Sequence, residues 1–86
     1  MSTKKSQTLV SVDLKSIGRR IREIRGFDLT QAEFGRLMGI GQKQLSKYEI
    51  GLSAPTVDLL LRLKQHSGRS IDWILTGEVS EERRSY

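Results

Sequence analysis

One stretch constrains this chain more than any other: Leu29 to Gly51, LTQAEFGRLMGIGQKQLSKYEIG. It reads as two short helices joined by a tight glycine turn. Thr30 followed three residues later by Glu33 is a capping box, in which the threonine oxygen takes the third-residue amide and the glutamate reaches back to the threonine amide. Leu29 before the cap and Phe34 behind it can form the hydrophobic staple that fixes the angle of approach. Gly39 follows Leu37-Met38 and suits the left-handed conformation that ends a helix. Gly41 then leads into the polar turn Gln42-Lys43-Gln44, and Gly51 closes the second helix.

That second helix has two faces. Leu45 and Tyr48 lie three apart and can point inward, with Glu49 beside them. Gln42, Lys43, Ser46 and Lys47 fall at i, i+1, i+4 and i+5 and share the opposite face. That face has amides and ammonium groups and no carboxylate. Amides that donate and accept, set beside cations, suit base edges flanked by phosphates. A solvated helix face is the plain alternative.

Composition agrees with an anionic partner. The 86 residues hold 15 Lys+Arg against 10 Asp+Glu, a net charge of +5, which favours nucleic acid first and a membrane surface second. That length suits one small domain with a modest core. The absence of cysteine excludes disulfides and thiolate zinc sites and fits a cytoplasmic protein. No apolar run is long enough to span a bilayer, and Met1-Ser2-Thr3-Lys4-Lys5 lacks the apolar stretch of a secretory signal. Neither paired carboxylates, a nucleophile with its base, a phosphate-binding glycine loop nor a metal cluster is visible, so an enzyme is not expected. His66, the only histidine, reads as a surface residue, and no cofactor is implied.

Taken in order, residues 1–12 read as a basic, flexible arm, residues 13–77 as the folded domain and residues 78–86 as a polar tail. Asp13 can cap a first helix on which Leu14, Ile17, Ile21 and Ile24 form an apolar stripe. In the second helix, from about Gln31 to Met38, the residues Phe34, Leu37 and Met38 should face the core. Gly35 there costs about 1 kcal/mol of helix propensity relative to alanine. Pro55 and Thr56 suit the entrance of a fourth helix, to about Ser67, with Val57, Leu60 and Leu63/Lys64 inward and Leu59 and Leu61 off the stripe. Ser70 caps a short fifth helix, Ile71–Leu75, ended by Gly77. Trp73 itself reads as core packing, but so short a helix cannot bury every apolar residue between Ile71 and Val79. The remainder, with Leu59 or Leu61, suggests a self-complementary patch.

The run from Leu29 to Gly51, followed by Pro55 and then SIDWILTGE, resembles the Cro/lambda-repressor-like helix-turn-helix proteins, also called the xenobiotic-response-element family. The resemblance covers about Leu14 to Gly77. Its telling residues are Thr30-Gln31, Glu33, Gly39, Leu45-Ser46, Glu49, Gly51, Pro55 and Asp72-Trp73. It implies an all-α, compact five-helix domain with the motif in helices 2 and 3. It gives Gln31 two tasks, holding a phosphate and bracing Gln42. It pairs the arginine ending helix 1, here Arg25, with Glu49. The link Gly26-Phe27-Asp28 is about one residue shorter than the common form, which leaves Arg22 as an alternative partner. The family usually has alanine where this chain has Gly35, and alanine and a large aliphatic where it has Lys64 and Ser67. The loop after helix 3 usually meets the sugar-phosphate backbone, but Leu52-Ser53-Ala54 supplies no cation to it.

The expectation is a sequence-specific double-stranded DNA-binding regulator, a repressor working as a homodimer on a palindrome. Gln42, Lys43 and Lys47 would read bases, with Gln44 and Ser46 contributing. Gln31, Arg36 and Ser53 would hold phosphates. Thr30, Glu33, Gly39, Arg25 and Glu49 would support the motif, and Leu59, Leu61, Trp73 and Leu75 would form the dimer or partner patch. The alternative is an antitoxin-like or adaptor module of the same fold that binds another protein through that patch.

Overall fold

A computed structural model describes residues 12–78, so the arm to residue 11 and the tail from residue 79 lie outside the described residues. Five helices follow one another: α1 (Leu14–Arg25), α2 (Gln31–Met38), α3 (Gln42–Glu49), α4 (Val57–Ser67) and α5 (Ile71–Thr76). Among the described residues there is no strand.

Side-chain oxygens fix most of the starts. Asp13 accepts from the Ser16 amide at 3.1 Å, Thr30 from Glu33 at 3.1 Å, Thr56 from Leu59 at 3.1 Å and Ser70 from Trp73 at 2.9 Å. Each satisfies one of the amides that a helix start leaves without a partner. α2, α4 and α5 stop at Gly39, Gly68 and Gly77, all in the left-handed region that favours glycine.

The Asp13 carboxylate also accepts the Ser16 hydroxyl at 2.7 Å. That bond, followed by the one from the Ser16 amide, holds its pKa below the ordinary 3.8. A depressed carboxylate stabilises the fold above its unfolded value, and that help is lost as pH falls through the folded value. Asp13→Asn is therefore expected to lower the urea midpoint at neutral pH and to shrink its fall on acidification. An unchanged difference between the two pH values would remove this role.

α1 packs on both α3 and α5, and α4 closes the remaining side against α2 and α5. The core is Ile17, Ile21, Phe34, Met38, Leu45, Tyr48, Leu59, Leu60, Leu63 and Ile74, with Leu14, Ile24, Leu29, Ile40, Ile71 and Trp73 half-buried against it. All five helices thus contribute to one apolar cluster.

Four expected orientations are corrected. Leu59, expected outside the stripe and in the exposed patch, is buried at 1% exposure, while Val57, expected inside, is 71% exposed. Thr56 is the cap, not a helical residue, and Leu59, Leu60 and Leu63 make the inward face at i, i+1 and i+4. Lys64 is exposed, and Leu63 alone fills the inward position it shared with it. Leu37 is exposed too, because Phe34 and Met38, one full turn apart, already occupy the inward line of α2. His66 is exposed, with its ring edge-on to Phe34 at 5.5 Å between centroids.

Candidate nucleic-acid interface

The interface is built on the α2–turn–α3 unit. Both halves of the capping box are present, since the Thr30 amide also donates to Glu33 Oε1 at 2.9 Å. At the other end of α2, Gly39 has φ 77°, and the Ile40 amide folds back to the Gly35 carbonyl at 2.8 Å. This six-to-one bond is the Schellman closure. Gly35 leaves room for this turn, since a Cβ there would lie 2.8 Å from the Ile40 carbonyl oxygen.

α3 is held from behind. Leu45, Tyr48 and Glu49 are buried. The Glu49 carboxylate, its side chain 3% exposed, accepts two bonds from Arg25, Nε to Oε2 at 2.8 Å and Nη2 to Oε1 at 2.9 Å. Arg25 Nη1 also donates to the Leu29 carbonyl at 3.1 Å. Arg25, not Arg22, is thus the partner. The short link is accommodated by Gly26 at φ 75°, whose amide donates to Arg22 O at 3.1 Å. The bond to Glu49 raises the Arg25 pKa further above its ordinary value. This two-point pair joins the ends of α1 and α3 in a fixed geometry.

Gln31 joins the same cluster, donating from Nε2 to Glu49 Oε1 at 2.9 Å. It therefore braces the far end of α3. The expected contact with Gln42 is not among its hydrogen bonds; the bond to Glu49 leaves one amide N–H and the amide oxygen of Gln31 free for other contacts.

With its inner face fixed, α3 presents Gln42, Lys43 and Lys47 fully outward, with Gln44 and Ser46 half-buried beside them. Gly41 caps the helix without a side chain over its first turn. In the following turn the Leu52 amide bonds Lys47 O at 2.9 Å. Ser53 is half-buried in the loop, and Arg36 is exposed on α2. The base-reading candidates therefore share one open surface.

The expected patch does not survive whole. Leu59 is in the core, and Trp73 is half-buried with the Arg69 guanidinium 3.9 Å above its ring centroid. Leu61 at 45% and Leu75 at 38% remain exposed.

Three structural residues escaped the sequence reading. Gly18 lets α1 lie against the Tyr48 and Glu49 carbonyls. Arg20 donates to the Ile74 carbonyl at 3.1 Å, tying α5 to α1. Arg62 donates to the Met38 carbonyl at 2.8 Å. The two arginines act on partners 54 and 24 residues away, so helical spacing could not reveal them.

Comparison with known proteins gives three findings. Residues 19–74 match the Helix-turn-helix family HTH_3. A 45-residue segment, 51% of this chain, is 44% identical to antitoxin PezA of Streptococcus pneumoniae serotype 4 (strain ATCC BAA-334 / TIGR4), and the match spans only 28% of that relative. The fold superposes on the P22 c2 repressor protein, solved in complex with synthetic operator 9T in the presence of Tl+. The TM-score is 0.65 and the identity 30%, over 72% of this chain and 96% of that one. The capped α2, the glycine turn, the outward-facing α3 and these matches together place the chain in the Cro/lambda-repressor-like helix-turn-helix family of DNA-binding proteins.

Proposed function

We propose that the chain is a sequence-specific, double-stranded DNA-binding transcriptional regulator, a repressor that inserts α3 into the major groove. The observation that carries this reading is the division of α3: Leu45, Tyr48 and Glu49 are locked inside while Gln42, Lys43 and Lys47 stand open on the outer side. Glutamine can bind adenine at two points, and lysine commonly reads guanine. Gln44 and Ser46 lie on the rim. Gln31, Arg36 and the Ser53 loop serve phosphates, and the start of α2 adds a positive dipole end. One domain this small offers little contact area, so two copies bind a near-palindrome with half-sites about 34 Å apart. Leu61, Leu75 and the edge of Trp73 form the twofold contact. On this reading the protein works in the cytoplasm.

The test is binding to a duplex selected from a random pool, with Gln42→Ala/Lys43→Ala/Lys47→Ala beside the wild type. Each good base contact contributes about 1–3 kcal/mol, so the triple variant should lose more than about a hundredfold in affinity. Its melting temperature should stay within a few degrees, since the three residues are exposed. Unchanged affinity would end the assignment.

The similarity to an antitoxin supports a second reading, in which the same domain also holds a partner protein through Leu61 and Leu75. DNA binding through the outer face of α3 is compatible with it, because that face uses other residues, whereas a second copy and a partner protein would compete for the Leu61 and Leu75 surface.

A further inference from the structure

We infer that Arg62, on α4, is a positioning residue for DNA recognition: it fastens the turn between α2 and α3 and so sets the angle at which α3 is presented. This rests on the proposed reading of bases by α3.

The last carbonyls of a helix lack partners within it, and α2 ends in the middle of the motif. Two of its late carbonyls are taken locally, Arg36 O by the Gly39 amide at 3.2 Å and Gly35 O by the Ile40 amide at 2.8 Å. Met38 O is taken from outside, by Arg62 Nη1 at 2.8 Å. The guanidinium lies against the bare Cα of Gly39, where a Cβ would fall 2.6 Å from Nη1. Gly39 thus both supplies the left-handed turn and leaves space for the arginine. A cation at this helix end also faces the negative end of the α2 dipole.

The motif is therefore tied at two ends. Glu49 is held to Gln31 and Arg25 at the far end of α3. Arg62 holds the turn end. α3 has eight residues, a rod about 12 Å long, and a swing of about 10° at the turn would carry its far end about 2 Å. Recognition by a rigid constellation tolerates about 0.5 Å. One bond from α4 thus controls a displacement that side-chain readout would register.

Arg62→Met keeps most of the stem and removes the donor, and Arg62→Lys restores a charge and a shorter donor. Two measurements decide the matter. The first is amide hydrogen exchange in the free protein at Gly39 and Ile40, with Ile21 in α1 as reference. Arg62→Met should speed exchange about tenfold at the turn, matching loss of one charged hydrogen bond, and leave Ile21 unchanged. The second is the ratio of affinity for a pool-selected duplex to affinity for a scrambled duplex, at matched folded fraction. That ratio should fall about tenfold in Arg62→Met and recover in part in Arg62→Lys. A residue that only stabilises the fold would speed exchange at Ile21 as well and leave the ratio alone. Either that pattern or unaltered exchange at Gly39 and Ile40 overturns the inference. If the wild type selects no sequence, base reading by α3 fails and Arg62 has no recognition to position; local exchange then separately shows whether it holds the turn.

Discussion

Replacing Gly18 with alanine is expected to lower the melting temperature by about 15 °C, equivalent to a loss of about 3 kcal/mol. Gly18 sits in the middle of α1, where alanine alone would gain about 1 kcal/mol of helix propensity. Packing reverses that sign. A Cβ at Gly18 would lie 2.5 Å from the Tyr48 carbonyl oxygen and 2.7 Å from the Glu49 carbonyl carbon. Both are backbone, so no rotamer change relieves the clash. α1 must move off the end of α3, which stretches the Arg25–Glu49 pair as well. Gly41→Ala is the matched control, since nothing lies within 4 Å of its built Cβ and its φ is −75°. It should cost about 1 kcal/mol or less, through weaker capping alone. Thermal melts followed by circular dichroism compare the two directly. Equal, small effects would mean that the close approach of α1 to α3 is not a constraint.

Arg25→Met is expected to cost about 3 kcal/mol and to weaken DNA binding further than the folded fraction explains. Removing one partner of a buried pair leaves the other charge without compensation, which usually costs about 3–5 kcal/mol. Arg25 itself is 15% exposed, which argues for the lower end of that range. Glu49 would keep only the Gln31 amide among its side-chain donors. The double variant Arg25→Met/Glu49→Met removes both charges and should return to within about 1 kcal/mol of wild type. DNA binding should not recover with it, because the two-point geometry that orients α3 is gone. Urea unfolding of the three proteins, with binding measured in parallel, separates these effects. If Arg25→Met unfolds like wild type, the pair does not hold the motif.

The helices and the motif were legible because their signals are local. Thr30 with Glu33, Gly39 after Met38, and Ser70 before Ile71 each act within a few residues of themselves. The two faces of α3 followed from periodicity for the same reason. What the sequence obscured were questions of rotation and long-range reach. α4 contains three successive leucines, Leu59 to Leu61, so its stripe could be drawn along more than one line. Only packing against α2 and α5 shows that Leu59 and Leu60 go in and Leu61 stays at the surface. Leu37 was misplaced because an eight-residue helix has room for one inward line, and Phe34 with Met38 had filled it. Gln31 was rightly placed at the start of α2, but its partner, Glu49, is 18 residues away and on another helix. Gly18, Arg20 and Arg62 are ordinary surface-helix residues to the eye, and their roles appear only when the helices are stacked.

The proposed regulation requires α3 to lie in the major groove. Methylation interference on a pool-selected duplex tests this directly, because dimethyl sulfate marks guanine N7 in the major groove and adenine N3 in the minor groove. Interference should fall at guanine N7, in two clusters about one helical turn apart, and the cluster signal should fade in Lys43→Ala. Interference confined to adenine N3, or none at either position on a duplex the protein binds tightly, would contradict the account.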